Sequence, residues 1–360
     1  MTLGQKIKYF RQQKEYSLQV LADLAGLSKP AIQQYEDDTI TPSSKALQAI
    51  ARGLGKEVWS FFESAGKELE LYEFRHGEAL VDAESEKKAI YNEVIKYARD
   101  YIDLEEIVGD RIIFENPISE DEINGYDDIE VVAKKLRKKW KLNNNPIDDV
   151  CRFLESKGFK IITIDRPTNS PGLCGFLKEG EEKIPFIIIN KHKVHVKEIT
   201  RIRFTILHEL AHLLLSFGHR VTKEQQEKFC NAFASSFLLP AEVLFDYLGK
   251  DRTHILLDEL KNIKLDFGIS IQGIIYKAHS SRLITESKCD EWLAAYDSWR
   301  AAGNDFGEYT KSKETSDRFE RLILRGLAEK KISREKAAEL MNINIDQLDI
   351  FLDNKIFKLN

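Results

Sequence analysis

Cysteine is scarce in this chain, which has 4 cysteines among 360 residues. They are far apart, and no two of them form a C-x-x-C pair; they are Cys151, Cys174, Cys230 and Cys289. Secreted domains that depend on disulfides carry more cysteines at closer spacing, and redox or zinc motifs need paired ones. The cysteine pattern therefore favours a protein of a reducing compartment.

Long apolar runs and an excess of one charge are also missing. The N-terminus lacks the apolar segment of a signal peptide, and no apolar run reaches membrane-spanning length. The 54 Lys+Arg are balanced by 59 Asp+Glu, and the formal net charge of −5 argues against a protein coated in nucleic acid. We expect a cytoplasmic protein with no membrane partner, whose 42% hydrophobic content supports two or three domains with real cores.

The most informative stretch is R-F-T-I-L-H-E-L-A-H-L-L-L at 203–215. It contains an H-E-x-x-H pattern formed by His208, Glu209 and His212. Residues four apart lie on one face of an α-helix, so both imidazoles can bind a single metal ion, with Glu209 beside them. The neighbouring residues are almost all apolar, which predicts a buried helix. Two histidines and a carboxylate on such a helix need a partner, and a metal would provide it.

A second apolar segment, E-K-F-C-N-A-F-A-S-S-F-L-L-P at 227–240, predicts another helix that Pro240 closes. The interval after His212 is long enough for a turn and an antiparallel return. Glu227, at the start of this helix, could then complete a His/His/Glu ligand set. A fourth position on a zinc ion would remain for water.

These two segments resemble the ImmA/IrrE family of bacterial and phage metallopeptidases, whose members cut transcriptional repressors. The family usually has Gly where Ala211 stands and often an acidic residue where Ser236 stands, but neither position is a metal ligand. The resemblance implies a zinc ion (Zn²⁺), Glu209 as the general base, and the metal ligands His208, His212 and Glu227.

Metal ligands usually need hydrogen-bond partners that orient them. Our candidates for this supporting role are Asn231 and Thr205. The side of the helix that carries Glu227 returns most closely at Asn231, so Cys230 is left out of the predicted site.

The N-terminal residues predict a series of short helices at 3–13, 18–25, 29–36 and 45–53. Ser17 and Ser28 are placed as N-caps, and Gly26 breaks the second helix. This order resembles the XRE/Cro-like helix-turn-helix family, in which the third helix enters the major groove and dimers are common. The resemblance implies a backbone contact from Gln19 and base contacts from Lys29, Gln33 and Gln34. The alternative is a helical bundle whose polar face is only solvated, since the segment is barely basic.

The middle of the chain predicts a charged helical connector at 66–128, followed by a peptidase domain at 129–290. Helices are predicted at 129–142 and 147–157, and short strands at 159–164, 173–177 and 185–190. Three strands that lead into a metal-bearing helix fit a small α+β, zincin-like domain. The stretch Gly172–Phe176 is our candidate for a strand edge that pairs with an extended peptide. Cys174 in this stretch is either a small buried hydrophobe or a cysteine switch.

Residues 291–360 predict a helical C-terminal module that echoes the N-terminal domain. Ser333, Asn342 and Leu348 stand at one constant offset from Ser17, Gly26 and Ile32. The third helix of the echo carries acidic residues that DNA phosphates would repel, Asp346, Asp349 and Asp353. This module is expected to dock a protein or to serve as a helical cap.

The predicted fold is therefore mainly α, with a small α+β zincin-like peptidase domain, an all-α helix-turn-helix domain at 1–65 and a helical C-terminal region. The predicted function is that of a zinc-dependent metalloendopeptidase that cleaves a specific repressor or antitoxin-like protein. It would control transcription in a stress, mobile-element or phage context, and DNA, the protein substrate and a second copy of the chain are the expected partners. The alternative is a DNA-binding regulator whose peptidase-like domain senses a signal or partner without proteolysis.

Overall fold

The computed structural model describes residues 2–62, 69–75, 84–165, 171–192, 198–249, 252 and 254–355. The chain divides into two compact units. The first contains Met1–Leu69, Glu93–Ile112 and Asp317–Asn360, and the second contains Glu70–Asn92 and Ile113–Ser316. The predicted boundary between 65 and 66 lies outside the described residues. The predicted boundary between 290 and 291 falls within a helix, Glu286–Ala301.

The first unit begins with helices whose ends follow from local signals. They are α1 (Leu3–Gln13), α2 (Leu18–Ala25), α3 (Lys29–Glu36) and α4 (Ser44–Leu54), followed by a 3₁₀ turn at Val58–Phe61. The hydroxyls of Ser17 and Ser28 accept hydrogen bonds from the backbone of Val20 and Ala31 and so begin α2 and α3. Gly26 ends α2 with φ of 62°, a left-handed conformation that glycine adopts without strain. The predicted bounds of α1, α2 and α3 are confirmed.

A small apolar core holds these helices together. Ile7, Leu21, Ile32 and Ile50 are fully buried in it. Beside the core, Arg11 forms two hydrogen bonds with Glu36, from Nε to Oε1 at 2.6 Å and from Nη2 to Oε2 at 2.8 Å. This paired geometry fixes the end of α3 relative to α1.

The C-terminal helices of the first unit repeat this arrangement. They are α14 (Arg318–Ala328), α15 (Arg334–Leu340) and α16 (Ile345–Lys355). Ser333 caps α15 as Ser17 caps α2, and Asn342 has φ of 53° where Gly26 has 62°. The echo seen in the sequence is therefore a structural repeat.

The repeat packs against the second half of helix α5 (Glu84–Val108). Tyr101 and Leu104 share one core with Ile323 and Leu348. The amide of Gln48 on α4 also donates to the carbonyl of Lys330, at 2.6 Å, in the turn after α14. These contacts agree with the expectation of a helical cap, and the expectation of a protein-docking module stays a prediction.

The second unit contains a sheet covered by helices. Its strands are β1 (Leu69–Arg75), β3 (Lys160–Ile164), β4 (Gly172–Glu179) and β5 (Glu182–Asn190). A separate parallel pair joins β2 (Glu122–Ile123) to β6 (Ser216–Phe217). The helices are α6 (Tyr126–Lys139), α7 (Val150–Glu155), α8 (Ile199–Leu214), α9 (Lys223–Leu238), α10 (Ala241–Leu248), α11 (Leu257–Phe267), α12 (Ile271–Ser280) and α13 (Glu286–Ala301).

The sheet has the strand order β1-β4-β5-β3. Strands β4 and β5 form an antiparallel hairpin, and β3 lies parallel to β5. The predicted connector contains α5 as expected, but its helical prediction misses β1, where L-E-L-Y-E-F-R partly alternates apolar and polar residues. Strand β1 lies next to β4 in the sheet, so β4, which contains the stretch Gly172–Phe176, is not an edge strand as the sequence analysis expected.

Buried residues from the sheet and from α6 to α13 form one continuous core. Its side chains are mostly Ile, Leu and Phe, as the apolar patterns of 203–215 and 227–240 require. Among the helices that the structure describes, none has the length and apolar character needed to cross a bilayer.

Candidate metal centre and DNA-binding helix

Helix α8 carries His208, Glu209 and His212 and crosses the core of the second unit. Its apolar residues Ile206 and Leu210 are fully buried, which fixes the rotation of the helix. The start of β4 lies directly against it, since a Cβ added to Gly172 would be 2.5 Å from Thr205 Cγ2 and 3.1 Å from Glu209 Oε1. The close packing of β4 against α8 therefore requires glycine at position 172.

Helix α9 returns alongside α8 and supplies Glu227. Thr222 begins α9 with a capping box, because its hydroxyl accepts from Gln225 N while the Gln225 side chain accepts from Thr222 N. The parallel pair of β2 and β6 and the hydrogen bond from Gly218 N to Ile123 O, 3.0 Å long, hold the turn between the helices. Glu227 is thus fixed by the first turns of α9.

The three predicted ligands meet at one point. His208 Nε2 lies 3.3 Å from Glu227 Oε2, His212 Nε2 lies 3.5 Å from Glu227 Oε1, and the two Nε2 atoms are 3.1 Å apart. One donor atom from each residue lies within 4.8 Å of the others. The His212 side chain is 4% exposed and that of Glu227 is 42% exposed, so the site opens toward solvent at the carboxylate.

The opposite nitrogens of both histidines face α9. His208 Nδ1 lies 2.9 Å from Asn231 Oδ1, and His212 Nδ1 lies 3.4 Å from Cys230 Sγ. Asn231 therefore contacts one of the predicted ligands, and its supporting role stays a prediction. Cys230 was left out of the predicted site, yet it contacts a predicted ligand as Asn231 does. The signal was present in the sequence, because residues three apart on a helix also share a face.

Thr205, the other predicted supporting residue, lies elsewhere. Its methyl group faces Gly172 on β4. Within the described part of the chain, its hydroxyl forms no hydrogen bond with His208, His212 or Glu227. Thr205 therefore contributes to the packing of α8 against the sheet.

Glu209 is buried beside the three ligands. Burial raises its pKa to about 7, and the charge of His208 and a hydrogen bond from the Cys174 thiol oppose part of this shift. Its Oε2 atom is buried and has no hydrogen-bond partner among the described residues. A carboxyl group with a pKa near neutrality can accept and release a proton at physiological pH.

The electrostatics of His208 follow from its neighbours. Burial disfavours its charged form, but the carboxylates of Glu227 and Glu209 outweigh that effect and raise the pKa of His208. Two carboxylates against two imidazoles make a site that attracts a cation.

A second group of potential ligands, Asp149, Cys151 and Glu314, also lies within 4.8 Å. Here Glu314 is fully engaged, because it pairs with Arg203 and accepts the backbone N–H groups of Val150 and Cys151 at 2.8 and 3.1 Å. Burial raises the pKa of the Cys151 thiol, which keeps it protonated. In this group, the ion pair between Glu314 and Arg203 holds α8 in place.

In the first unit, the predicted DNA contacts are exposed; they are Gln19, Lys29, Gln33 and Gln34. Gln19 donates to Asp23 at 2.8 Å and Gln33 donates to Asp37 at 2.6 Å, each along its own helix. In the C-terminal repeat, isoleucines stand at the positions of Lys29 and Gln34, namely Ile345 and Ile350. The position of Gln33 carries Asp349, so this helix of the repeat presents apolar and acidic side chains where α3 presents amides and an ammonium group.

Comparison with known families gives two matches. Residues 7–58 match a helix-turn-helix family, which supports DNA binding, and residues 156–279 match the IrrE N-terminal-like domain, a peptidase family. No curated protein matches the chain. The second match includes α8, α9 and the strands β3 to β5. The two matches agree with the resemblances that the sequence motifs indicated, an XRE-like helix-turn-helix segment and a segment similar to the IrrE peptidase family.

Proposed function

We propose that this protein is a zinc-dependent endopeptidase that cleaves a specific repressor or antitoxin-like protein and binds DNA through its N-terminal domain. The observation that supports this most directly is the convergence of His208 Nε2, His212 Nε2 and a Glu227 carboxylate oxygen beside the buried Glu209.

The donor set fits zinc. Two imidazoles and one carboxylate are the protein ligands of many catalytic zinc sites, which keep one further position for water or substrate. The unpartnered, buried Oε2 of Glu209 adds a second sign of fit, because a water held near the ligands would satisfy it. When bound, a zinc ion would polarise the scissile carbonyl and acidify a water molecule.

Glu209 has the placement and pKa of a general base. It would take the proton from the attacking water and later deliver it to the leaving amine. Its burial keeps the carboxylate poorly solvated, which raises its affinity for that proton. Cys174 donates a hydrogen bond to the same carboxyl group.

The helix-turn-helix domain supports a role in transcription. Exposed amides and one ammonium group on α3, from Gln33, Gln34 and Lys29, suit purine edges in the major groove, while Gln19 suits a phosphate. We propose a homodimer on paired half-sites in the cytoplasm, where the peptidase domain would meet repressors bound at nearby operators.

Proteolysis is tested by comparing new protein N-termini in cells that express the wild-type chain or its Glu209→Gln variant. One or a few new N-termini, in a repressor or antitoxin-like protein and absent with Glu209→Gln, are expected. If every N-terminus is shared by the two cultures, even when the protein's host is stressed or carries an induced phage, the non-proteolytic regulator becomes the better account.

DNA binding is tested by selecting bound sequences from a random DNA pool. Replacing Gln33 and Gln34 by Ala should weaken binding to the selected site by about 1–3 kcal/mol for each base whose paired hydrogen bonds are removed. Gln12→Ala, at an exposed amide on α1, is the matched control and should leave binding unchanged. Equal weakening by both changes would contradict the proposed orientation of α3.

A further inference from the structure

Helix α9 presents one stripe of side chains to the candidate metal centre. Glu227, Cys230 and Asn231 stand at positions i, i+3 and i+4, which share a face of a helix. Glu227 approaches the Nε2 atoms of both histidines. Cys230 approaches Nδ1 of His212, and Asn231 approaches Nδ1 of His208. One helix therefore supplies a ligand and a partner for each of the other two ligands.

The geometry excludes Cys230 as a ligand of the same ion. The two nitrogens of an imidazole point in different directions, and Cys230 Sγ lies on the Nδ1 side of His212 at 3.4 Å. The shared point is defined by Nε2 of His212, which lies 3.1 Å from Nε2 of His208. All four cysteines are outside disulfides, so the Cys230 sulfur keeps its capacity to accept a hydrogen bond.

An imidazole that binds a metal through Nε2 carries its proton on Nδ1. That N–H is usually held by an acceptor, which fixes both the tautomer and the ring orientation. Asn231 Oδ1 has this relation to His208, and Cys230 Sγ, fully buried, has it to His212. Sulfur is a weaker acceptor than oxygen, but it is large enough to reach the His212 ring from position i+3 of the stripe.

We propose that Cys230 is a positioning residue for His212. Its sulfur accepts a hydrogen bond from Nδ1–H and turns Nε2 toward His208 and Glu227. This inference rests on the proposed metal site for its consequence, but the tautomer that it assigns to His212 exists with or without a metal.

Three variants separate hydrogen bonding from packing. Cys230→Ser keeps an acceptor of similar size, Cys230→Val fills the space of the sulfur with two methyl groups and no acceptor, and Cys230→Ala removes both the acceptor and the bulk. Zinc affinity of the full chain, measured by competition with a chelator, should fall by about 10–100-fold in the Val and Ala variants. The Ser variant should recover most of that loss. Thermal unfolding of each metal-free variant checks that it folds.

A second readout does not need zinc. Nitrogen NMR of the metal-free protein, at a pH where both imidazoles are neutral, should show His212 protonated on Nδ1 in the wild type and in Cys230→Ser. The Val and Ala variants should shift His212 toward the Nε2–H tautomer.

The two readouts distinguish the failure of either claim. If the wild type binds no zinc, but the His212 tautomer differs as expected between the wild type and the Val and Ala variants, the proposed function is contradicted and the role of Cys230 is supported. Zinc binding that is equal in all four proteins, or a Ser variant as weak as the Ala variant, would overturn the role of Cys230. An unchanged tautomer in the Val and Ala variants would overturn it as well.

Discussion

Breaking the ion pair between Arg203 and Glu314 should strongly destabilise the second unit. Both side chains are 0% exposed. Arg203 lies on α8 before His208 and donates to the carbonyl of Ile147 at 2.6 Å, while the ring of Tyr309 lies 4.9 Å from its guanidinium carbon. Glu314, which comes after α13, thereby joins the end of the unit to the helix that carries the candidate metal ligands.

Glu314→Gln would leave the Arg203 charge buried without its counter-ion. Breaking a buried pair in this way costs about 3–5 kcal/mol. For a unit of this size, 1 kcal/mol corresponds to about 2–4 °C, so the melting temperature should fall by roughly 6–20 °C. Urea unfolding of the full chain measures the decrease in free energy directly.

Two further variants make this test specific. The double variant Arg203→Met/Glu314→Gln removes the unpaired charge and keeps an oxygen for the Val150 and Cys151 N–H groups, so it should be more stable than Glu314→Gln alone. Glu242→Gln breaks the exposed pair with Lys134 and should cost less than about 1 kcal/mol. A decrease below about 1 kcal/mol for Glu314→Gln, or a double variant that is no more stable, would refute the reasoning.

Three other predictions concern the site and the DNA-binding domain. Because burial raises the pKa of Glu209 from 4.5 to about 7, the folded state holds this proton more tightly than the unfolded chain does. The unfolding free energy of the metal-free protein should therefore fall as pH rises from about 4.5 to about 7, by at most roughly 3 kcal/mol. Glu209→Gln should remove this part of the pH profile in urea titrations, and superimposable profiles would count against it. Gly172→Ala places a Cβ 2.5 Å from Thr205 Cγ2 and should cost about 1–3 kcal/mol in the same assay; an unchanged urea midpoint would be inconsistent with the close packing. Ser28→Ala removes the cap of α3 and should lower stability by about 1 kcal/mol, and an unchanged urea midpoint would show that the cap contributes nothing.

Local signals in the sequence were enough to predict the elements that position the candidate sites. Ser17, Ser28 and Gly26 act within one helical turn, so the bounds of α2 and α3 follow from them. The H-E-x-x-H spacing likewise predicts that His208 and His212 share a face, because helical geometry alone determines it.

Features that depend on distant residues were not predicted. The pairing of Arg203 with Glu314 joins residues far apart in the chain, and no local pattern marks either partner. Strand β1 is short and only partly alternating, and its place beside β4 is a property of the whole sheet. Cys230 was missed for a smaller reason, since both i+3 and i+4 share a helix face, and the packing of α8 decides which histidine each of them contacts.

The C-terminal module shows both cases in one segment. Its resemblance to the N-terminal helices was visible in Ser333 and Asn342, whose caps and backbone conformation match those of Ser17 and Gly26. Its packing with α5 in the first unit required the structure, because α5 precedes it by some two hundred residues along the chain, as Leu104 and Ile323 illustrate. Local repetition predicts a fold, but not what that fold packs against.

The central claim is tested most directly by the zinc content of the purified chain after equilibration with zinc and removal of the excess. The account predicts about one zinc ion per chain in the wild type, and its absence in His212→Ala and Glu227→Gln. Glu224→Gln, an exposed carboxylate one turn earlier on α9, is the matched control and should keep the metal. A wild type without zinc, or retention of zinc by His212→Ala and Glu227→Gln, would contradict the metal centre and with it the proposed peptidase.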